Sequence, residues 1–162
     1  RREAGAFPAA ALSLDGDADR VIEEAGDTAP QIVRKKLAAN RIGDAEAGRT
    51  AFGPHVSDLS VRHTAKRAEA RACSTGEQKA LLISIVLADA WEMAATAGHP
   101  APVLLLDEIA AHLDRTRRKA LFDEVLALGA QAWITGTDMA LFEDLVPYAD
   151  VFTVENSRFT AL

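Results

Sequence analysis

Ala101-Pro-Val-Leu-Leu-Leu-Asp-Glu-Ile-Ala-Ala-His-Leu-Asp114 decides how the rest of the chain is read. Val103 to Leu106 is an unbroken apolar run that begins after Pro100 and Pro102 and ends at Asp107-Glu108. Four apolar residues without alternation predict a strand covered on both faces, as in a parallel sheet flanked by helices. Open α/β sheets bind ligands at the carboxyl ends of their strands, which is where the two acids fall. The pair suits a division of labour. Asp107 would hold Mg²⁺ through its water shell, and Glu108 would orient and deprotonate an attacking water. The same residues also fit a strand that ends in two solvated acids.

Cys73-Ser-Thr-Gly-Glu-Gln-Lys79 leads directly into the apolar run Ala80–Ala88. Ser74 offers a hydroxyl, Gly76 lets a ligand approach the backbone, and the start of a helix presents free N–H groups to an anion. Glu77, three residues after Ser74, equally completes a capping box. The two readings are compatible, because a capped turn still presents N–H groups outward. Ser-x-Gly-Glu-Gln-Lys, then about thirty residues, then Leu-Leu-Leu-Asp-Glu with a following Leu-Asp resembles the signature, Walker B and D-loop of ABC-type ATPases.

The length of 162 residues fits one domain or a large piece of one, and 49% hydrophobic content supports a real core. The net charge of −6 argues against a wholly basic nucleic-acid-binding protein. The charge is uneven, however. Arg34 to Arg71 holds nine Lys/Arg against four Asp/Glu, a modest pointer to a polyanion on one face. A single cysteine, Cys73, excludes an internal disulfide and suits a reducing, cytoplasmic compartment; a packed thiol is its favoured role. The run Ala80–Ala88 is too short to span a bilayer, and neither a signal peptide nor a membrane partner is expected. The first residue is Arg1 rather than Met, which suggests sequence upstream of it.

Taken in order, Ala11–Leu14 predicts a short strand closed by Asp15-Gly16, and Asp17 to Ala25 a helix with acids in its first turn. Pro30 restarts a second helix to about Arg41. Residues 1–45 are thus expected to form a helical lobe or arm, and 46–162 the remaining domain. Arg49–Phe52 and Val56–Arg62 read as strands about Gly53-Pro-His55, with Ala68–Ala72 returning. His55 lacks a second metal ligand nearby, so a structural hydrogen bond is favoured. Gln78 to Ala97 is apolar nearly all round and predicts a buried helix, stopped by Gly98-His-Pro. Asp114 caps a helix from Arg115 to Leu128. Arg117-Arg118-Lys119 in its first turn oppose the helix dipole; they suggest a nearby anion or, more simply, a solvated face. Gln131–Thr135 predicts another buried strand, Asp138 a short helix to about Leu145, and Val151–Thr160 a closing hairpin.

With these residues assembled, the chain resembles the carboxyl-terminal half of the RecF family of bacterial DNA replication and repair proteins. Gly53-Pro-His55 with Asp58-Leu59, Ser74-x-Gly-Glu-Gln-Lys79, Leu106-Asp-Glu108 with Leu113-Asp114, and Val151-Phe-Thr-Val-Glu155 match its blocks in order. The resemblance implies an α/β fold: a partial ABC-type ATPase head with a small helical lobe and a β-hairpin region. It also implies an ATP-dependent dimer of like chains that binds DNA at single-strand gaps or junctions and helps RecO and RecR load RecA. By position, Asp107 becomes the Walker B acid and Glu108 the catalytic carboxylate. Ser74, Gly76 and Glu77 become the signature turn on the γ-phosphate across the dimer, Asp114 the D-loop acid, and Thr137 the switch residue. Many ABC proteins carry a histidine in that switch, whereas this chain has Thr135-Gly-Thr137. The pattern Gly-x-x-x-x-Gly-Lys-Ser/Thr is missing, and none of the ten glycines precedes a lysine. The phosphate cradle is therefore expected in an amino-terminal half, which would also supply ATP and Mg²⁺ affinity. Two other readings stay open: a non-catalytic scaffold using the basic 34–71 segment, and another SMC-like ABC ATPase head.

Overall fold

Helices and strands are interspersed along the chain in a computed structural model that describes residues 5–96 and 101–162, giving a mixed α/β protein. The predicted helix stop at Gly98-His-Pro lies outside the described residues. The chain divides into two units, one of Ala10–Glu69 and one of Ala70–Leu162 together with residues 5–9. The boundary falls at Glu69, where the sequence suggested one near residue 45.

In the Ala10–Glu69 unit, β1 (Ala10–Asp15) pairs antiparallel with β2 (Asp58–His63), which pairs with the two-residue β3 (Ala68–Glu69). Between β1 and β2 lie α1 (Asp17–Ala25) and α2 (Ala29–Ala47). Asp17 and Asp19 complement the α1 dipole, and Ala18 and Val21 bury its inner face. Helix α2 runs past the predicted end at Arg41, because Gly43 stays helical. It stops at Gly48, whose φ of 63° is left-handed and whose N–H donates to the Asp44 carbonyl. Arg49–Phe52 is a loop rather than the expected strand; Phe52 is buried and carries the Lys36 ammonium 5.3 Å from its ring centre. His55 Nε2 lies 2.9 Å from the Thr50 carbonyl oxygen, which is the structural role expected of it.

In the second unit, α3 (Thr75–Ala95) and α4 (Arg115–Leu128) pack together over β4 (Leu104–Leu106) and β5 (Ala132–Ile134), a parallel pair. Ile83, Leu87 and Ala90 of α3 meet Leu121, Phe122, Val125 and Leu128 of α4 with Leu104 and Leu106 beneath. The helical spacing predicted for α4 is the buried face observed. Two expectations fail. Leu105, between buried Leu104 and Leu106, is 76% exposed, and its register partner Trp133 is 51% exposed. Strand side chains alternate, so packing on one side of this unit leaves the other face bare. Likewise α3 buries one side only; Leu82, Val86 and Met93 stay exposed. A hairpin of β6 (Phe152–Glu155) and β7 (Arg158–Ala161) closes the chain, with Asn156 and Ser157 both at positive φ in its two-residue turn. The short helix expected after Asp138 is a 3-10 turn, Met139–Phe142.

Candidate functional site

Strand β4 delivers Asp107 and Glu108 at its carboxyl end, beside the carboxyl end of β5. The parallel register pairs Leu106 with Ile134, and the Thr135 N–H donates to the Leu106 carbonyl at 3.1 Å, extending the ladder one residue. Thr135 therefore faces Asp107. Its hydroxyl donates to Asp107 Oδ1, and the Glu108 N–H donates to Thr135 Oγ1 at 3.0 Å. Glu108 itself has left-handed backbone, φ 50° and ψ 21°. That region disfavours a residue with a Cβ by about 1 kcal/mol or more, so the surroundings hold it there. Asp107 is exposed and Glu108 half-buried, which leaves both carboxyls accessible from solvent.

Beneath the acids the supports are apolar. Adding a Cβ at Gly136 would place it 2.6 Å from the Phe142 ring, and that ring stacks on buried Phe122 at 6.1 Å between centres. A glycine here allows an aromatic ring to press against the backbone that carries Thr135. The 3-10 turns Ile109–His112 and Met139–Phe142 pack on each other, so the segments following the two strands lie side by side.

The signature turn lies at the start of α3. Ser74 is the N-cap in a capping box with Glu77, whose Oε2 accepts from both the Ser74 N–H and its hydroxyl, each at 3.0 Å. Gly76 has nothing within 4 Å of where a Cβ would sit and no positive φ, so neither packing nor conformation within the chain requires glycine there. Asp114 caps α4: Oδ1 accepts from the Arg117 N–H at 2.9 Å. The three cations of that first turn have partners inside the chain. Arg117 faces Asp114 at 3.8 Å, Arg118 donates to the Leu113 carbonyl at 3.3 Å, and Lys119 meets Asp123 at 3.1 Å. The solvated-face reading of this run therefore needs no external anion.

Of the predicted residues, the structure brings Asp107 and Glu108 together, sets Ser74, Gly76 and Glu77 on one capped turn, and uses Asp114 as a helix cap. Thr137 is exposed, and the hydroxyl that reaches the acids belongs to Thr135. Sequence reasoning set Thr135 and Gly136 in the switch segment but gave the site role to Thr137. The usable signal was that Thr135 closes β5 just as Asp107 closes β4. A cleft of about 330 Å³ near the carboxyl-terminal hairpin, lined by Met139, Val146, Phe152 and Leu162 among others, includes none of these residues. Among the described residues no three His, Cys, Asp or Glu side chains gather to hold a metal, and no helix is long and apolar enough to cross a membrane.

No protein-family model matches the chain. Individual relatives do. It is 51% identical over 160 residues to the DNA replication and repair protein RecF of Allorhizobium ampelinum, covering 99% of this chain and 42% of that protein. The RecF proteins of Rhizobium meliloti, 52% identical over 160 residues, and Agrobacterium fabrum, 51% over 156, cover 97% and 96% of it. The chain spans about 42% of the length of such relatives. At an identity near one half over nearly its whole length, the chain is similar to a segment of the RecF proteins of DNA replication and repair.

Proposed function

We propose that this chain is the carboxyl-terminal part of an ATP-dependent DNA-binding repair protein with an ABC-type ATPase head, acting in the cytoplasm at single-strand gaps or junctions. The observation that carries the reading is the acid pair, held at the carboxyl ends of parallel β4 and β5 by a shared hydroxyl. The donor set fits the groups this implies. Thr135 occupies Oδ1 of Asp107 and leaves Oδ2 for a water of a magnesium shell, the hard-oxygen environment that Mg²⁺ prefers. Magnesium, when bound with ATP, would supply charge neutralisation at the phosphates. Glu108 accepts a proton from water as general base. Ser74 releases its hydroxyl from Glu77 to donate to a phosphate of a neighbouring molecule, while the first N–H groups of α3 add their dipole. Gly76 keeps that approach open.

Two chains would then enclose nucleotide, and hydrolysis would release them from each other and from DNA, which supports loading of RecA by RecO and RecR. Glu108→Gln in the intact RecF-length polypeptide tests this. It should abolish hydrolysis and leave an ATP-bound dimer that persists on size-exclusion chromatography. A variant that hydrolyses ATP at the normal rate would end the reading. A non-catalytic scaffold is favoured by one feature, the exposed cations Arg34, Lys35, Lys36 and Arg41 on α2. DNA binding that needs no nucleotide and falls steeply with salt would support that alternative.

A further inference from the structure

One side-chain atom links both acids. Glu108 N–H donates to Thr135 Oγ1, and the same hydroxyl donates to Asp107 Oδ1. A hydroxyl both accepts and donates through a single oxygen, whereas the methyl of an equally shaped valine does neither. β-Branching restricts χ1, so the oxygen has few other positions to visit. The backbone of Thr135 is held as well, by its N–H on Leu106 and by the Phe142 ring seated against Gly136. The left-handed backbone of Glu108 is a conformation that persists only where neighbours over-determine it, and the Thr135 oxygen is one such neighbour.

We propose that Thr135 is the positioning residue of the acid pair, fixing the carboxylate of Asp107 and the backbone of Glu108 at one spacing before any ligand arrives. The proposal rests on the nucleotide reading of those acids. It is separate from the switch role that the resemblance implies for Thr137. Rigid support of this kind is what keeps a catalytic constellation within the fraction of an ångström that chemistry needs.

The test compares Thr135→Val and Thr135→Ser with the unaltered protein in the intact RecF-length polypeptide. Amide hydrogen exchange at Glu108 is read without nucleotide, and the Mg²⁺ concentration for half-maximal ATP hydrolysis is read separately. Thr135→Val should exchange Glu108 about tenfold faster and need about tenfold more Mg²⁺, since a hydrogen bond to a charged group is lost. Thr135→Ser, which keeps the bridging oxygen, should stay within about threefold on both. Unchanged exchange in Thr135→Val, or a serine variant as impaired as the valine one, overturns the proposal. Glu108→Gln separates the two layers of inference. If it hydrolyses ATP normally, the nucleotide reading falls while exchange still decides whether Thr135 ties the acids. If it is inactive and Thr135→Val keeps the original Mg²⁺ dependence, the positioning role alone falls.

Discussion

Leu105 and Leu106 are neighbours on one strand, and replacing each by alanine should have very different consequences. Leu106 keeps 7% of its surface in water and Leu105 keeps 76%. Leu106 packs among Ile83, Leu121 and Phe122, in a cluster whose deepest members are fully enclosed. Truncating a leucine in such a site forfeits its transfer free energy and leaves a cavity, about 3 kcal/mol together. Leu105 has little burial to forfeit, so Leu105→Ala should stay within about 0.5 kcal/mol. Urea denaturation of the 162-residue chain, followed by far-ultraviolet circular dichroism, compares the two midpoints at constant slope. In the intact RecF-length polypeptide the contrast should shrink. If further chain in that polypeptide covers the Leu105–Trp133 face, Leu105→Ala should there cost about 2–3 kcal/mol. Equal costs for the two substitutions in the 162-residue chain would refute the claim that packing on one side alone leaves this face bare.

The remaining predictions follow from local geometry. Asp114→Ala removes the α4 cap and the partner of Arg117, costing about 1 kcal/mol in chemical denaturation, whereas Asp114→Asn keeps the acceptor and should cost under about 0.5 kcal/mol. If Asp114 also serves as the D-loop acid, the asparagine variant of the intact protein will lose ATPase activity without losing stability. The hydrogen bond from Arg20, reinforced by its charge, holds the Asp17 carboxyl below the usual carboxylate range. A carboxyl so lowered in the folded state adds stability above its unfolded pKa and loses it as pH falls through the folded one. NMR titration should therefore show Asp17 returning to the ordinary range in Arg20→Gln, with no effect on stability at neutral pH beyond what a solvent-exposed pair carries. The 162-residue chain without a Gly-Lys phosphate loop should show neither ATPase activity nor tight ATP binding. Micromolar affinity by isothermal titration would contradict that.

Much of this architecture is legible in the residues because its signals are local. Asp17 to Ala25 is bounded by acids and Gly26, Arg115 to Leu128 by Asp114 and Gly129, and both helices appear with those ends. Caps and left-handed glycines act within one turn, so sequence alone carries them. Misreadings cluster where a choice depends on distant neighbours. The second helix is expected to end near Arg41, yet a helix tolerates one glycine at Gly43, and the left-handed turn comes at Gly48. Phe52 read as part of a strand, but its ring serves as an anchor beneath Lys36.

The candidate site divides along the same line. Residue order alone established a strand ending in Asp107-Glu108, a serine-capped turn opening an apolar helix, and the likeness to RecF, since each depends on neighbours in the chain. Folding supplied the rest: the bare Leu105–Trp133 face, the left-handed turn at Glu108, and the meeting of Thr135 with both acids. Thr135 lies 27 residues from Glu108. Their contact comes from the register of two parallel strands, which side-chain packing sets and no short stretch of sequence encodes.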